Sequence, residues 1–250
     1  MTLESDSTRT RPARPIVELR QYLLRPGRRE ALIDLFDREF VETQEATGMQ
    51  VVGQFRDLDR PDHFVWLRAF DTMAARRASL TAFYGGPAWA RHRDAANSTM
   101  IDTDDVLLLR PVSRQLGLLL PDASTRDHTP KRGMVVAAIV HRRPGSECEA
   151  NAAFRTTIVP AFTAGGARTL GLYETEPSEN DYLELPVRDA NVLVWFGAVD
   201  ETQTPTTLHR TIAWREAIDM APRLSGRPTD ILRLTPTSRS LLDAAAQPAA

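Results

Sequence analysis

The chain has 250 residues, and its hydrophobic fraction of 42% and charged fraction of 26% are those of an ordinary globular protein. A formal net charge of −2 gives no reason to expect nucleic acid or an anionic membrane as a partner. The single cysteine, Cys148, excludes an intramolecular disulfide and a CxxC metal clip. The N-terminus lacks the apolar stretch of a secretory signal and the longest apolar runs are too short to span a bilayer, so we expect a cytoplasmic protein.

Polar and turn-rich segments divide the chain. Residues 1–15 and 241–250 have the composition of disordered tails, and residues 114–132 combine turn formers and charges without periodicity, as in a linker. Two domains are therefore predicted, at residues 16–113 and 133–240.

The two domains repeat one another. VELRQYLLRPG at 17–27 matches VVAAIVHRRPG at 135–145, since both are strand-like runs that end in Arg-Pro-Gly. The segments at 88–114 and 213–239 align without a gap and place Trp89 opposite Trp214. Further matches in the same order, with Gly53 opposite Gly171, make coincidence a poor explanation.

The first domain has the pattern of a β-α-β-β-α-β unit. Strands are predicted at 16–24, 50–57, 63–70 and 105–111, with one helix after Pro26-Gly27 and a second that breaks at Gly85-Gly86-Pro87. Such a unit forms a four-stranded antiparallel sheet with both helices on one face and leaves the other face bare. The predicted fold class is α+β: two tandem ferredoxin-like βαββαβ domains packed sheet to sheet as a pseudo-symmetric barrel. Because the repeat covers both bare faces, we expect a monomer with an internal pseudo-dimer, or a homodimer through other surfaces.

Polar residues alternate with aliphatic ones along the first strand. Val17, Leu19 and Leu23 should face the helices, which would turn the polar set toward the barrel interior or its mouth; that set is Glu18, Arg20 and Tyr22. Trp66 and Arg68 share one face of the third strand. The matching first strand of the second domain, VVAAIV, is apolar on both faces, so the first domain carries the polar groups and the second forms a wall or lid.

Two interpretations of this polar set remain open. The charges could form a satisfied ion-pair network that fixes the register of the sheets. They could instead line a ligand pocket.

The segment FYGGPAWARHR at 83–93 places Tyr84, Trp89 and His92 near a helix break, as at the rim of a pocket. Trp89 has a counterpart in Trp214, which favours a place in the core, whereas His92 has none and could be a general base or a solvated helix residue. Paired histidines or carboxylates at metal-site spacing, a GxGxxG motif and a phosphate loop are missing from the sequence, so we expect no metal and no cofactor.

The chain resembles the NIPSNAP family at 17–36, 51–70, 83–93 and 104–111. That family belongs to the dimeric α/β-barrel superfamily of ferredoxin-like domains, which implies the fold predicted above. The superfamily includes cofactor-free monooxygenases that act on aromatic polyketides, isomerases, and heme-dependent enzymes. Glu18, Arg20 and Tyr22 stand where the heme-degrading group places an asparagine, and this disfavours heme chemistry.

The sequence thus supports two hypotheses of function. One is a small-molecule-binding barrel protein that acts as a cofactor-independent monooxygenase or isomerase on an aromatic or polyketide-like metabolite. The other is a non-catalytic binding or interaction protein of the NIPSNAP type. The first hypothesis assigns catalysis to His92, Arg20 and Tyr84, and it assigns substrate binding to Glu18, Tyr22, Gln54, Trp66, Arg68 and Trp89.

Overall fold

The computed structural model describes residues 10–199 and 227–246. The strands are β1 (Thr10–Pro12), β2 (Ile16–Leu24), β3 (Gln50–Asp57), β4 (His63–Phe70), β5 (Met100–Pro111), β6 (Leu119–Pro121), β7 (Met134–His141), β8 (Arg168–Thr175), β9 (Val192–Val199) and β10 (Asp230–Pro236). The helices are α1 (Arg29–Leu35), α2 (Val41–Glu45), α3 (Met73–Tyr84), α4 (Pro87–Asn97), α5 (Glu147–Ala153) and α6 (Val159–Ala164). The helix predicted as the second of the second domain, with Trp214, falls outside the described residues.

Eight strands close into one antiparallel barrel in the order β10-β3-β4-β2-β5-β8-β9-β7, and β7 pairs with β10. The first half supplies β3-β4-β2-β5 and the second half supplies β8-β9-β7-β10, so both halves have the same ferredoxin-like strand order. The two sheets face each other across the barrel, which confirms the predicted fold class. No helix in the described part of the chain is long and apolar enough to cross a bilayer.

The repeat extends to individual residue pairs. Val17 pairs with Leu109 in the first half, and the matching Val135 pairs with Leu234 in the second. Each first helix passes through one π-helical turn, at Phe36–Phe40 and at Phe154–Ile158. Because this π turn occurs at the same place in both halves, it is a feature of the fold rather than of one site.

The strands β3 and β8 are each irregular beside a matched glycine, Gly53 or Gly171. A Cβ atom at Gly53 would lie 2.8 Å from Ser240 Oγ, and one at Gly171 would lie 3.2 Å from the carbonyl oxygen of Leu116. The segment that follows the last strand of each half therefore crosses close over the other half, and glycine leaves room for it.

These crossing segments also correct the predicted tails and linker. Leu118 and Leu120 of the supposed linker, and Leu241 and Leu242 of the supposed disordered C-terminal tail, are buried in the same cluster as the barrel interior. At the other end of the chain, Thr10–Pro12 pairs with Leu119–Pro121. Apolar side chains spaced too irregularly for a helix or strand pattern are nevertheless part of the barrel core.

The direction predicted for the first strand was wrong. Val17 and Leu19 lie inside the barrel with the aliphatic residues of both halves. Tyr22 and Trp66 lie on the opposite face, in the cluster that packs beneath the helices. Glu18, Arg20 and Arg68 lie on that same face of the two strands. An eight-stranded barrel is just wide enough to be filled by its own side chains, so the aliphatic set occupies the closed interior.

Candidate functional site

Glu18 is the centre of a buried ion cluster on the helix-covered face of the first half. Its Oε2 accepts hydrogen bonds from Arg20 Nη1 and Arg68 Nε, both at 2.7 Å. Its Oε1 accepts a bond of 2.6 Å from Arg76 Nε, on helix α3. All four side chains are at most 1% exposed. Two neighbouring strands and one helix thus bring three guanidinium groups to one carboxylate.

The cluster holds more positive than negative charge. Burial alone would raise the pKa of Glu18, but the charges of Arg68, Arg20 and Arg76 outweigh it and hold that pKa far below the ordinary value. Within the described part of the chain, the Nη2 atoms of Arg68 and Arg76 are buried without a hydrogen-bond partner. A buried donor left unpaired costs free energy, so the arrangement is not one optimised for stability alone.

An aromatic cavity of about 30 Å³ adjoins this cluster, with room for roughly one water molecule. It lies between the sheet and the helices of the first half and is lined by Tyr22, Leu32, Phe36, Phe40, Gln44, Trp66, Phe83, Tyr84, Trp89, Ala96 and Met100. The arginines touch its walls: Arg20 Cζ is 5.4 Å from the ring centre of Tyr22, and Arg68 Cζ is 5.1 Å from that of Trp66. The walls are aromatic, and positive charge lies directly behind them.

Two side chains that line the cavity have hydrogen-bond donors to spare. The Tyr22 hydroxyl oxygen accepts a bond of 3.0 Å from Arg20 Nε, and its own hydrogen has no acceptor within the described part of the chain. The indole Nε1 of Trp66 is buried and meets no acceptor among the described residues. Burial raises the pKa of Tyr22 despite the opposing charge of Arg20, so this hydroxyl keeps its proton at neutral pH.

The second half reaches into this site through the β8–β9 loop, residues 176–191. Arg76 Nη1 donates to Asn180 Oδ1 at 2.9 Å and to Asp181 Oδ1 at 3.1 Å. The ring of Tyr182 stacks on Tyr84 with centres 6.3 Å apart. The corresponding turn of the first half covers only residues 58–62 and is much shorter.

A larger cavity, of about 300 Å³, lies under the same loop against Leu108. Its charged lining residues are Glu176, Glu179, Asp189 and Arg188, and none of its lining residues is aromatic. It therefore suits an anionic or aromatic ligand less well than the smaller cavity does, although it has more space.

The model of the NIPSNAP family matches residues 17–114, which contain Glu18, all three arginines and every residue that lines the aromatic cavity. We refer to residues 17–114, the part of the chain that matches this model, as the NIPSNAP domain. The family model does not extend over the second half, and a search of curated proteins returned no match.

Solved structures that match the whole chain share its fold. A candidate monooxygenase from Lactobacillus acidophilus NCFM is 12% identical with a TM-score of 0.54, over 94% of this chain and 99% of that one. A candidate monooxygenase from Fusobacterium nucleatum subsp. nucleatum ATCC 25586 is 9% identical with a TM-score of 0.57, over 94% and 98%. An anthrone oxidase-like protein is 10% identical with a TM-score of 0.51, over 95% and 100%. At these identities the likeness concerns the fold alone.

Most of the residues singled out in the NIPSNAP domain lie together. Tyr22, Trp66, Tyr84 and Trp89 line the cavity, and Glu18, Arg20 and Arg68 form the charge cluster behind it. Trp89 packs among the aromatic rings of the domain core as well, so its two interpretations are compatible.

His92 and Gln54 lie elsewhere in the NIPSNAP domain. His92 is 21% exposed, and its Nε2 is 3.3 Å from Glu39 Oε2 on the outside of the helices. Gln54 pairs with Trp66 across the sheet and is buried, but it does not line the cavity. Its side-chain amide finds no partner in the described part of the structure. His92 does not line the cavity, although its ring meets that of the lining residue Phe40 edge-on with centres 6.2 Å apart.

Sequence reasoning missed Arg76, which a signal in helix α3 could have revealed. Arg76 lies three residues after Met73 and four before Leu80, on the apolar face of the helix. An arginine in an otherwise apolar stripe needs a buried counter-charge, and Glu18 was available. The contribution of Asn180, Asp181 and Tyr182 had no such signal, because it depends on how the two halves meet.

Proposed function

We propose that the NIPSNAP domain binds a small aromatic molecule that carries an acidic oxygen, in the cavity lined by Tyr22 and Trp66. The observation that carries the proposal is a pair of donors that have no acceptor among the described residues, the Tyr22 hydroxyl and the Trp66 indole, in front of a cluster with excess positive charge. A ligand would have to supply the acceptor. Aromatic walls favour a flat ring, and the arginines favour an anion.

The ligand enters by displacing a wall of the cavity, since 30 Å³ is too small for an aromatic ring. The joint between α3 and α4 at Gly85-Gly86 is the place where the wall can move. Helix α3 ends there, and helix α4 begins at Pro87, so few backbone hydrogen bonds connect the two.

Bound in this way, a phenol or enol would be stabilised as its anion. Arg20 donates to the Tyr22 oxygen and thereby polarises the hydroxyl that faces the ligand oxygen, as a preorganised donor does in an oxyanion site. Isomerisation and cofactor-independent oxygenation with molecular oxygen as co-substrate both pass through such anions, and these are the reactions we propose. Whole-chain structural neighbours described as candidate monooxygenases and as anthrone oxidase-like support the proposal of this class of reaction.

A non-catalytic binding protein is the second candidate, and one observation favours it. Tyr22 and Tyr84 are the ionisable residues that line the cavity in the described part of the chain, and Glu18 behind them is held ionised by three arginines. A carboxylate with so low a pKa is a poor proton acceptor. A reaction at this site would therefore have to start from a substrate that ionises readily by itself.

4-Nitrophenol tests the site, because its anion is yellow and its ionisation can be followed by absorbance. We expect the protein to increase the yellow anion at a pH where free 4-nitrophenol is mostly neutral, and Tyr22→Phe to remove at least about tenfold of the anion affinity, the loss typical of a hydrogen bond to a charge. Tyr173→Phe, which removes a buried hydroxyl in the second half, is the control and should behave as wild type. Absence of any absorbance change in the wild type would contradict the proposal, and oxygen uptake with phenolic substrates separates the enzyme from the binding protein.

A further inference from the structure

The β8–β9 loop places a second carboxylate on the ion cluster of the other half. Asp181 is 28% exposed at its side chain, and its Oδ1 is 3.1 Å from Nη1 of the fully buried Arg76. This position is held by its neighbour Asn180, whose Oδ1 accepts from Arg76 Nη1 and from the Tyr182 backbone, and whose Nδ2 donates to the Leu185 carbonyl. Asp181 is thus fixed by a hydrogen-bonded loop and is not a surface residue that happens to lie near an arginine.

The charge of the completed site follows from these contacts. Arg20, Arg68 and Arg76 contribute three positive charges, and Glu18 and Asp181 contribute two negative ones, which leaves a single positive charge. Buried donors on Arg68 and Arg76 remain without a partner among the described residues. Charges in such a site are weakly screened, so a ligand with one negative charge neutralises it, and a ligand with two overshoots.

We propose that Asp181 determines the specificity of the site and restricts its ligands to monoanions, so that the second half of the chain selects what the first half binds. This inference rests on the proposed function, because it concerns the anion that enters the Tyr22–Trp66 cavity. It goes beyond that function in assigning a residue of the second half to the site and a charge to the ligand.

Benzoate and phthalate test the inference, because they share one ring and carry one and two negative charges at neutral pH. By calorimetric titration at low salt, the wild type should bind benzoate about tenfold or more tightly than phthalate. Asp181→Asn keeps the shape of the side chain and raises the charge of the site by one, so phthalate binding should tighten and the ratio should fall by at least about tenfold. Asp181→Glu should restore the wild-type preference.

Asp189→Asn is the matched control, since it makes the same charge change in the same loop, away from Arg76. It should leave the ratio of the two affinities unaltered. If Asp181 merely holds the loop in place, both affinities would change alike and the ratio would stay constant, which would overturn this inference and leave the proposed function standing. If neither the wild type nor Asp181→Asn bound either anion, the proposed function would fail and this inference with it.

Discussion

The two halves of the barrel have the same strand order and the same π turns, but they fill the space beneath their helices differently. On the first strand of the first half, the side chains that face the helices are Glu18, Arg20 and Tyr22. At the matching positions the second half has Val136, Ala138 and Val140. All of these side chains are buried. The second half therefore shows that the fold needs no charge at this place.

The third strands make the contrast sharper. Trp66 and Trp195 occupy matching positions, and the next position on the same face is Arg68 in one half and Gly197 in the other. In the second half the indole of Trp195 lies over Gly197 and packs on Phe162 with ring centres 4.5 Å apart. Its Nε1 donates to Thr169 Oγ1 at 3.1 Å, while Trp66 Nε1 lacks a partner in the described structure. At this position the second half satisfies its indole, whereas the first half leaves a buried donor without a partner among the described residues, as expected of a site that receives a ligand.

The largest effect is expected from removing the one carboxylate that three arginines share. Glu18→Gln should lower the free energy of unfolding by about 3–5 kcal/mol, because Arg20 and Arg68 then lie buried without a counter-charge and Arg76 keeps only the partly exposed Asp181. Replacing the cluster as a whole, with Glu18→Leu, Arg20→Met, Arg68→Met and Arg76→Met, makes the first half resemble the second and should recover most of that loss. Urea denaturation of both variants measures the difference.

Glu30→Gln provides the control for this comparison. Glu30 forms an exposed ion pair with Arg56, and its loss should cost no more than about 1 kcal/mol. If the variant with all four substitutions were as unstable as Glu18→Gln, the first half would need the cluster for its fold. The contrast between the halves would then no longer indicate a binding site.

The sequence was sufficient for the fold but not for the orientation of its strands. Two features established the repeat: Arg-Pro-Gly follows each first strand, and the segments that contain β5 and β10 align without a gap. The repeat in turn predicted the barrel. Alternation showed that Glu18 and Arg20 share a face, but both faces of these strands are buried, so hydrophobicity could not tell which one the helices cover.

The candidate site was recovered in part for a related reason. Residues on β2 and β4 could be grouped because strand pairing is local to one half. His92 was included for its chemistry and its proximity in the chain to Tyr84, yet it pairs with Glu39 and does not line the cavity. Asp181 and Tyr182 depend on contact between halves, which no pattern within either half encodes.

A smaller effect is expected where the second half has filled the space with an indole. A Cβ atom at Gly197 would lie 2.1 Å from Cη2 of Trp195, so Gly197→Ala must push the ring out of its position. We expect a loss of about 1–3 kcal/mol in thermal or chemical unfolding, as for other overpacked cores. Gly117→Ala, where the nearest atom would be 3.5 Å away, should change stability little. Equal effects of the two substitutions would mean that Trp195 is not held over Gly197.

The smallest effect concerns the π turns, where Asp37 in the first half corresponds to the exposed Arg155 in the second. Burial raises the pKa of Asp37 from 3.8 to about 6, and Arg239 only partly opposes this. Between these two values the folded protein binds more protons at this carboxyl than the unfolded chain does, so the contribution of Asp37 to stability decreases as the pH rises from about 4 to about 6 and stays unfavourable above.

Asp37→Asn removes that penalty. It should stabilise the protein at pH values near 8 by about 1 kcal/mol, less than the full shift implies because the group is partly solvated, and should have a smaller effect near pH 4.5. Asp34→Asn, at an exposed position on the preceding turn, is the control and should change stability little. Chemical denaturation of the three proteins at both pH values measures it, and a stabilisation of equal size at the two values would show that the ionised Asp37 carboxylate is not what destabilises the first half.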